Sequence, residues 1–347
     1  MKFGISPCTQ SPPAGEHMDR LVDQIIEQAQ QAERYGFDSF LLTEHHQQPD
    51  GYLPSPLTMA AAIAAKTSRI KVGSSVLLLP LYHAVRVAED AAVVDIISKG
   101  RLILAMGAGY VGEDYAAFGI PKSHLPTLME EGVEIIQRAW TEDNWSFYGQ
   151  RYRLQNMTIM PKPVQRPRPP IWLGGWTTAG IKRAARMGDF WYCDLINRVQ
   201  TLAVWAQEYH RVCQARGKPG HIAVFRDGYC APTTAQADAE YGGPLMDSHA
   251  FYHRAGGYNP AVDPWLNDLK SPAEFTLDKV RQDRFIVGSP EDCIREIEKY
   301  ERQLGAEYIV LRLQHPSGPP HAKVMEAIRL FGEKVIPHFA KAPTATA

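Results

Sequence analysis

Apolar residues in this chain fall into short dense blocks separated by longer stretches in which they recur every three or four positions. The blocks KFGIS, SFLLT, IKVGSSVLL, RLILAMG, PIWLGG, DFWYC, IAVFRDGYC and YIVLRL read as eight strands alternating with helices, the pattern of repeated βα units and a parallel sheet. Between the first two, Leu21, Ile25, Ala29 and Ala32 form one buried stripe of a helix over residues 17 to 35, and Gly36 supplies its C-cap. A second clear helix runs over 290 to 304. Ser289 suits its N-cap, Pro290 its first position, and Glu291 with Asp292 the positive end of its dipole. Eight strands each followed by helix predict an α/β fold, a single (β/α)8 barrel domain over residues 1–340. The polar tail KAPTATA, 341–347, is expected to fray.

Two stretches break the alternation. Residues 144 to 170 predict a small hairpin, WSFYG and RYRL, followed by the extended proline-rich linker KPVQRPRPP. Residues 240 to 285 carry the turn signals YGGP, AGGYNP and DPW among the aromatics Phe251, Tyr252, Tyr258 and Trp265. They read as a long loop over the barrel mouth after the seventh strand, either a packing excursion or a lid.

Composition narrows the partners. The 347 residues hold 37 Lys plus Arg against 38 Asp plus Glu, scattered rather than blocked, so no electrostatic footprint for nucleic acid or anionic lipid appears. A small-molecule partner is expected. Five cysteines, widely spaced and without a C-x-x-C pair, argue against a disulfide framework or a zinc site. No apolar signal segment precedes the first strand, and runs such as MAAAIAA fall far below spanning length, so a soluble cytoplasmic protein is expected.

Candidate chemistry gathers at strand ends, where α/β enzymes keep their sites. The run FLLTEHH delivers Glu44, His45 and His46 to the carboxyl end of the second strand. Adjacent strand residues face opposite sides, so the two histidines cannot both enter one barrel, and the His-x-His of a zinc barrel is missing; one histidine is expected in the mouth and the other in the wall. No metal site is assigned. In PIWLGGWTTAG a strand ends on Gly174 and Gly175 and a helix starts near Thr178, which makes a phosphate cradle with the hydroxyls of Thr177 and Thr178, although Thr before a helix is also an ordinary N-cap. The run GAGYVG satisfies G-x-G-x-x-G, but it follows the fourth strand, and Glu130 and Glu131 lie inside a helix instead of ending a strand. Gly107 and Gly109 are better read as clearing space for a flat ring. Ser74 and Ser75 interrupt an apolar strand, where core packing explains them more readily than ligand contact. Tyr110, Trp172, Trp176, Trp191 and Phe251 either line an apolar pocket or belong to the core.

In order and spacing, MKFG, GFDSFLLTEHH, IKVGSSVLLLPLYHAVRVAEDAAVVDIISKGRLILAMGAGY and FIVGSPEDCIREI resemble blocks of the bacterial luciferase-like family of flavin-dependent monooxygenases, over nearly the whole chain. The resemblance implies a (β/α)8 barrel whose open cup binds reduced FMN. It implies that His45 is the active-site histidine and Glu44 its neighbouring carboxylate, orienting it or holding the strand end, with His46 structural. Thr177, Thr178 and Gly180 fall on the family's phosphate loop, and Ser75 and Val76 where members often have a non-proline cis peptide against the ring. The GAGY pattern, Gly107 to Tyr110, suits the broader monooxygenases, whereas luciferase proper has a reactive cysteine and a phosphate-binding arginine where this chain has Gly107 and Ala108. Light emission is therefore not expected, and Arg183, Arg186 or backbone donors must replace that arginine.

The activity so implied is a two-component monooxygenase. A separate flavin reductase supplies reduced FMN, and oxygen adds to form a flavin hydroperoxide that oxygenates a small, apolar organic substrate. Residues 240–285 would close over the cup. The alternatives are a deazaflavin-dependent hydride-transfer enzyme on the same barrel, whose members more often carry an aspartate-histidine pair where this chain has EHH, and a non-catalytic flavin-binding protein. A homodimer burying the helical ring near residues 84 to 99 is also implied.

Overall fold

In the computed structural model, which describes residues 1–254 and 256–340, each of the eight expected strands is present. They are β1 (Lys2–Ile5), β2 (Ser39–Leu42), β3 (Lys71–Ser74) continued by β4 (Leu77–Leu78), β5 (Leu102–Gly107), β8 (Ile171–Gly174), β9 (Phe190–Cys193), β10 (His221–Cys230) and β12 (Tyr308–Arg312). All pair in parallel, in the order β10-β12-β1-β2-β3-β5-β8-β9, and β9 pairs with β10 to close the ring. The helices between them are α1 (Met18–Arg34), α2 (Pro56–Lys66), α3 (Ala84–Ser98), α4 (Gly112–Ala117), α5 (Leu125–Thr141), α6 (Thr178–Met187), α7 (Val199–Gln214), α8 (Thr234–Arg254), α9 (Leu277–Arg281), α10 (Pro290–Leu304), α11 (His321–Lys334) and α12 (Ile336–Phe339). The expected tail lies outside the described residues.

Alternation along each strand divides the core in two. Leu41, Ile103, Ala105, Trp172, Tyr192, Ala223, Phe225, Tyr308 and Val310 pack inside the barrel. Their neighbours, among them Phe40, Leu42, Leu104, Met106 and Leu173, face the helices, where Ile25, Ala29 and Ala32 of α1 meet them. Trp172 and Trp191 belong to these cores and are almost fully buried. The helix over 290 to 304 starts on a capping box between Ser289 and Asp292.

The hairpin forms as expected, β6 (Trp145–Tyr148) against antiparallel β7 (Arg153–Met157). The 240–285 stretch departs from expectation. Helix α8 runs through Gly242, Gly243 and Pro244, where the sequence reads as a turn. Ala237, Tyr241, Leu245 and His249 are all buried at a spacing of four, and this tertiary stripe outweighs the local breakers. Beyond it, Tyr258 and Phe275 are buried under α8 with Trp265 against them, so this part is a packed excursion. A short strand, β11 (Ile286–Gly288), then pairs with the upper end of β10. Among the described residues no helix is long and apolar enough to cross a membrane.

Candidate active site

The carboxyl ends of the strands surround a cavity of about 320 Å³. From the sequence-derived candidates it collects Glu44, His45, Ser75, Val76, Gly107, Gly109, Tyr110, Gly174, Gly175, Thr177 and Gly180 in its wall. Trp176 is there too, whereas Thr178 and Phe251 are exposed outside it.

The acid/base groups sort differently from the sequence reading. His45 Nδ1 lies 3.1 Å from Asp114 Oδ2, and Asp114 Oδ1 accepts the His46 amide at 3.1 Å. Asp114 is 1% exposed and stands in the first turn of α4. Glu44 does not orient His45. Its Oε1 meets His46 Nε2 at 2.7 Å and accepts the Tyr82 hydroxyl at 2.7 Å, while Oε2 accepts the Leu78 amide at 2.9 Å. Because the two histidines leave the chain in opposite directions, the nearer carboxylate falls to His46, and Glu44 serves as the tie between the ends of β2 and β4. A carboxylate on Nδ1 favours the tautomer whose Nε2 lone pair is open, and Nε2 of His45 has no partner among the described residues. Tyr52 and Tyr110 meet the ring edge-on, with centroids 5.0 and 5.6 Å away. Burial pushes the hydroxyls of Tyr52, Tyr110 and Tyr192 above their ordinary pKa, so they stand as neutral donors.

Next to this group the Ser75–Val76 peptide bond is cis, and the Ser75 hydroxyl bonds Tyr192 at 2.7 Å. The glycines around Val76 have a different cause from the one read in the sequence. A Cβ at Gly107 would lie 2.8 Å from Val76 Cγ2, so this glycine admits the valine rather than leaving a void for a ligand. A Cβ at Gly174 would meet Val76 Cγ1 at an ordinary 3.6 Å. Gly109 adopts a φ of 81°, and a Cβ there would sit 2.9 Å from the Tyr115 hydroxyl. Gly175 and Gly180 let strand end and helix touch, since a Cβ at 175 would be 2.7 Å from the Gly180 carbonyl carbon.

That contact aims the amino end of α6 at the cavity. Thr177 is its N-cap and accepts the Gly180 amide at 3.2 Å. Among the described residues the amides of Trp176, Thr177, Thr178 and Ala179 find no acceptor. Arg183 stands one turn further on, in the wall, and shares the single carboxylate of Glu130 with Arg186, at 3.2 and 2.7 Å. Two guanidiniums on one carboxylate leave an excess of positive charge, and of the two only Arg183 reaches the cavity. Unfilled amides, a helix dipole and a half-neutralised arginine together suit a phosphate dianion.

Asp114, Tyr52, Tyr192 and Arg312 are wall or support residues that the sequence reading does not single out, and Tyr252, named there only as one aromatic of the 240–285 stretch, joins them in the wall. Asp114 had a faint signal, an acid at the start of a helix just after a strand, which reads equally well as a dipole partner.

A luciferase-like monooxygenase family model matches residues 1–307. The chain is 30% identical, over 329 residues, to the oxygenase component of the flavin-dependent trigonelline monooxygenase of Acinetobacter baylyi, covering 89% of this chain and 88% of that protein. The fold is shared with the oxygenating constituent of 3,6-diketocamphane monooxygenase from Pseudomonas putida in complex with FMN, at a TM-score of 0.83 and 21% identity over 97% of this chain and 98% of the other. It is shared also with the coenzyme F420 dependent tetrahydromethanopterin reductase of Methanopyrus kandleri, at 0.77 and 18% identity over 97% and 99%. With the family model spanning seven of the eight barrel strands and every cup residue before Arg312, the chain belongs to the luciferase-like monooxygenases, an enzyme family of flavin-dependent oxidoreductases.

Proposed function

We propose that the protein is the oxygenase half of a two-component monooxygenase, using reduced FMN delivered by a separate flavin reductase and molecular oxygen to oxygenate a small organic substrate. The observation that carries this reading is the meeting, in one cavity, of a flat ring seat, a phosphate cradle and a carboxylate-held histidine. The residues present fit the cofactor. Val76, flanked by Gly107 and Gly174, offers an aliphatic ridge to a planar ring, and the amides of Trp176 and Thr177 with Arg183 offer donors and charge to its phosphate. Reduced FMN, when bound, supplies the activation of oxygen.

The protein's own share is positioning, exclusion of water and proton management. His45, held at Nδ1 by Asp114, moves a proton at Nε2. Apolar walls from Phe225, Leu195 and Ile196 keep water from the reacting face. Helix α3 leaves Val93, Ile96 and Ile97 about two-fifths exposed, and this face supports the expected homodimer.

The test is anaerobic titration with reduced FMN and with reduced coenzyme F420, followed by turnover under ¹⁸O₂ on a panel of organic substrates. Tighter binding of FMN and one labelled oxygen atom in product are expected. Tighter binding of F420 with no label in product would overturn the monooxygenase reading in favour of deazaflavin hydride transfer, and flavin binding with no turnover on any substrate would leave a carrier.

A further inference from the structure

The cup holds a second arginine that the cofactor reading does not use. Arg312 ends β12 and lines the cavity. In the ring of strands β9 and β10 stand between β12 and β8, the strand that leads to Arg183, so the two arginines enter the cup from separate sectors. His45, by contrast, follows β2 and is separated from Arg312 only by β1.

Arg312 is fixed from behind. Its Nε donates to Asp227 Oδ1 at 2.7 Å, Nη2 to Asp227 Oδ2 at 3.1 Å, and Nη1 to the Tyr252 hydroxyl oxygen at 2.9 Å. A guanidinium has five N–H groups, so one on each terminal nitrogen is left without an acceptor among the described residues. Asp227 also meets His249, whose Nε2 lies 2.7 Å from Oδ2, and the His315 ring stands 3.3 Å from Oδ1 without a hydrogen bond. The carboxylate is thus shared between Arg312 and the His249 ring, and the two free N–H groups of Arg312 remain as donors. The Tyr252 hydroxyl accepts from Arg312, and its own proton has no acceptor among the described residues.

Structural arginines in this chain look different. Arg226 and Arg284 are completely buried and bond to carbonyl groups of the surrounding backbone, outside the cavity wall. Arg312 keeps 15% of its side chain exposed, toward the cup. Beside it the ring of Phe225 lies 6.0 Å from the guanidinium carbon and stacks on Tyr192 at 6.1 Å, forming a flat apolar wall.

We propose that Arg312 and Tyr252 receive the carboxylate of the organic substrate, whose aromatic or alicyclic body rests against Phe225 and Tyr192. Two parallel N–H donors match a planar carboxylate, and the tyrosine proton supplies a third contact. The substrate is therefore a monocarboxylic acid held by its charged end, with its ring presented between the cofactor seat and His45. This rests on the reading of the cup as an FMN site, and it adds a charged end to the small, apolar substrate expected from the sequence.

The experiment is calorimetric titration of the full-length protein with benzoate and with its neutral isostere benzamide, with and without saturating FMN. Benzoate is expected to bind at least about tenfold tighter than benzamide. Arg312→Gln should bring benzoate down to the benzamide level, and Tyr252→Phe, which leaves the Asp227 pair intact, should weaken it severalfold, while FMN affinity stays within about twofold in both. Equal binding of the two probes, no binding of either, or benzoate affinity that survives a folded Arg312→Gln overturns the proposal. So does a loss of FMN affinity in Arg312→Gln with none in Arg183→Gln, because Arg312 would then be the phosphate's partner. If Arg312→Gln does not fold, Tyr252→Phe decides: unchanged benzoate affinity in it overturns the proposal and reduced affinity supports it. Discrimination of benzoate from benzamide in a protein that never binds FMN leaves this proposal standing and removes only the FMN reading.

Discussion

Asp114 Oδ2 lies 3.1 Å from Nδ1 of His45, and the same carboxylate accepts the amide of His46, so one buried acid fixes both the ring and the backbone of the residue that follows it. A histidine held in this way has one assigned tautomer and one open nitrogen. His45→Ala is expected to lower turnover by about 10²- to 10⁴-fold, the usual size of a lost proton-transfer group, and to leave FMN affinity within about tenfold. Asp114→Asn should reduce turnover at least about tenfold and displace the pH profile of kcat, which a merely structural acid would not do. Steady-state kinetics across pH, set beside flavin titrations, checks both.

The cradle at α6 predicts a phosphate-specific loss. Arg183→Gln removes the one guanidinium of the pair that reaches the cavity, and a charged hydrogen bond of this kind contributes about 1.5–3 kcal/mol, or roughly ten- to hundredfold in affinity. FMN should weaken by that factor and riboflavin, which has no phosphate, should hardly change. Arg186→Gln should leave both close to wild type. Equal losses for FMN and riboflavin would contradict the assignment.

The seat at Val76 predicts a rescue. Gly107→Ala places a methyl group 2.8 Å from Val76 Cγ2, an overpacking that costs about 1–3 kcal/mol in unfolding free energy. Adding Val76→Ala should recover at least about 0.5 kcal/mol of that, since residues in contact couple. Denaturant unfolding of the two single variants and the double variant measures the coupling; strict additivity would mean that the glycine answers to something else.

Glu44 is expected to matter for stability before chemistry. Glu44→Ala leaves the Leu78 amide, the Tyr82 hydroxyl and the His46 ring without their acceptor at a buried site, at about 2–4 kcal/mol. Its unfolding midpoint in urea should fall accordingly, and turnover at low temperature should suffer less than in His45→Ala.

The network behind Arg312 predicts a pH dependence of stability. Burial pushes His249 below its ordinary pKa against the pull of Asp227, and its Nδ1 faces the Tyr258 hydroxyl at 2.6 Å, as a neutral ring would. Burial pushes His315 down as well. The unfolded chain takes up these protons near pH 6.5 while the folded chain resists, so the stabilisation is complete above that pH and is lost as pH falls below it. Between pH 7.5 and 5.5 unfolding free energy should drop by about 1–3 kcal/mol, and His249→Gln should flatten the slope. A flat profile in the wild type would rule out neutral burial.

Much of this was legible in the sequence because barrel strands carry dense apolar runs that end sharply. Phe40, Leu41 and Leu42 marked β2, and the residues after them had to lie in the mouth. What stayed hidden depends on chain segments far apart. Asp114 is 69 positions from His45, and Leu78 and Tyr82 are 34 and 38 from Glu44, so adjacency in sequence suggested the wrong pair, Glu44 with His45. Gly242, Gly243 and Pro244 concealed α8, because a buried stripe is a tertiary fact that local propensity does not contain. Arg312 lies in the strand YIVLRL, and nothing local in that run sets an arginine of the cup apart from one at the surface.

The interlock of Val76 with Gly107 bears on how such a barrel evolves. A seat made from strand backbone and one aliphatic side chain answers to flatness and thickness, and the Ser75 hydroxyl beside it is tied to Tyr192. Exchanging a ring nitrogen for carbon leaves such a surface equally well matched. On the proposed reading, discrimination between flavins then falls to the anionic end of the cup, at the first turns of α6, apart from the strands that hold His45.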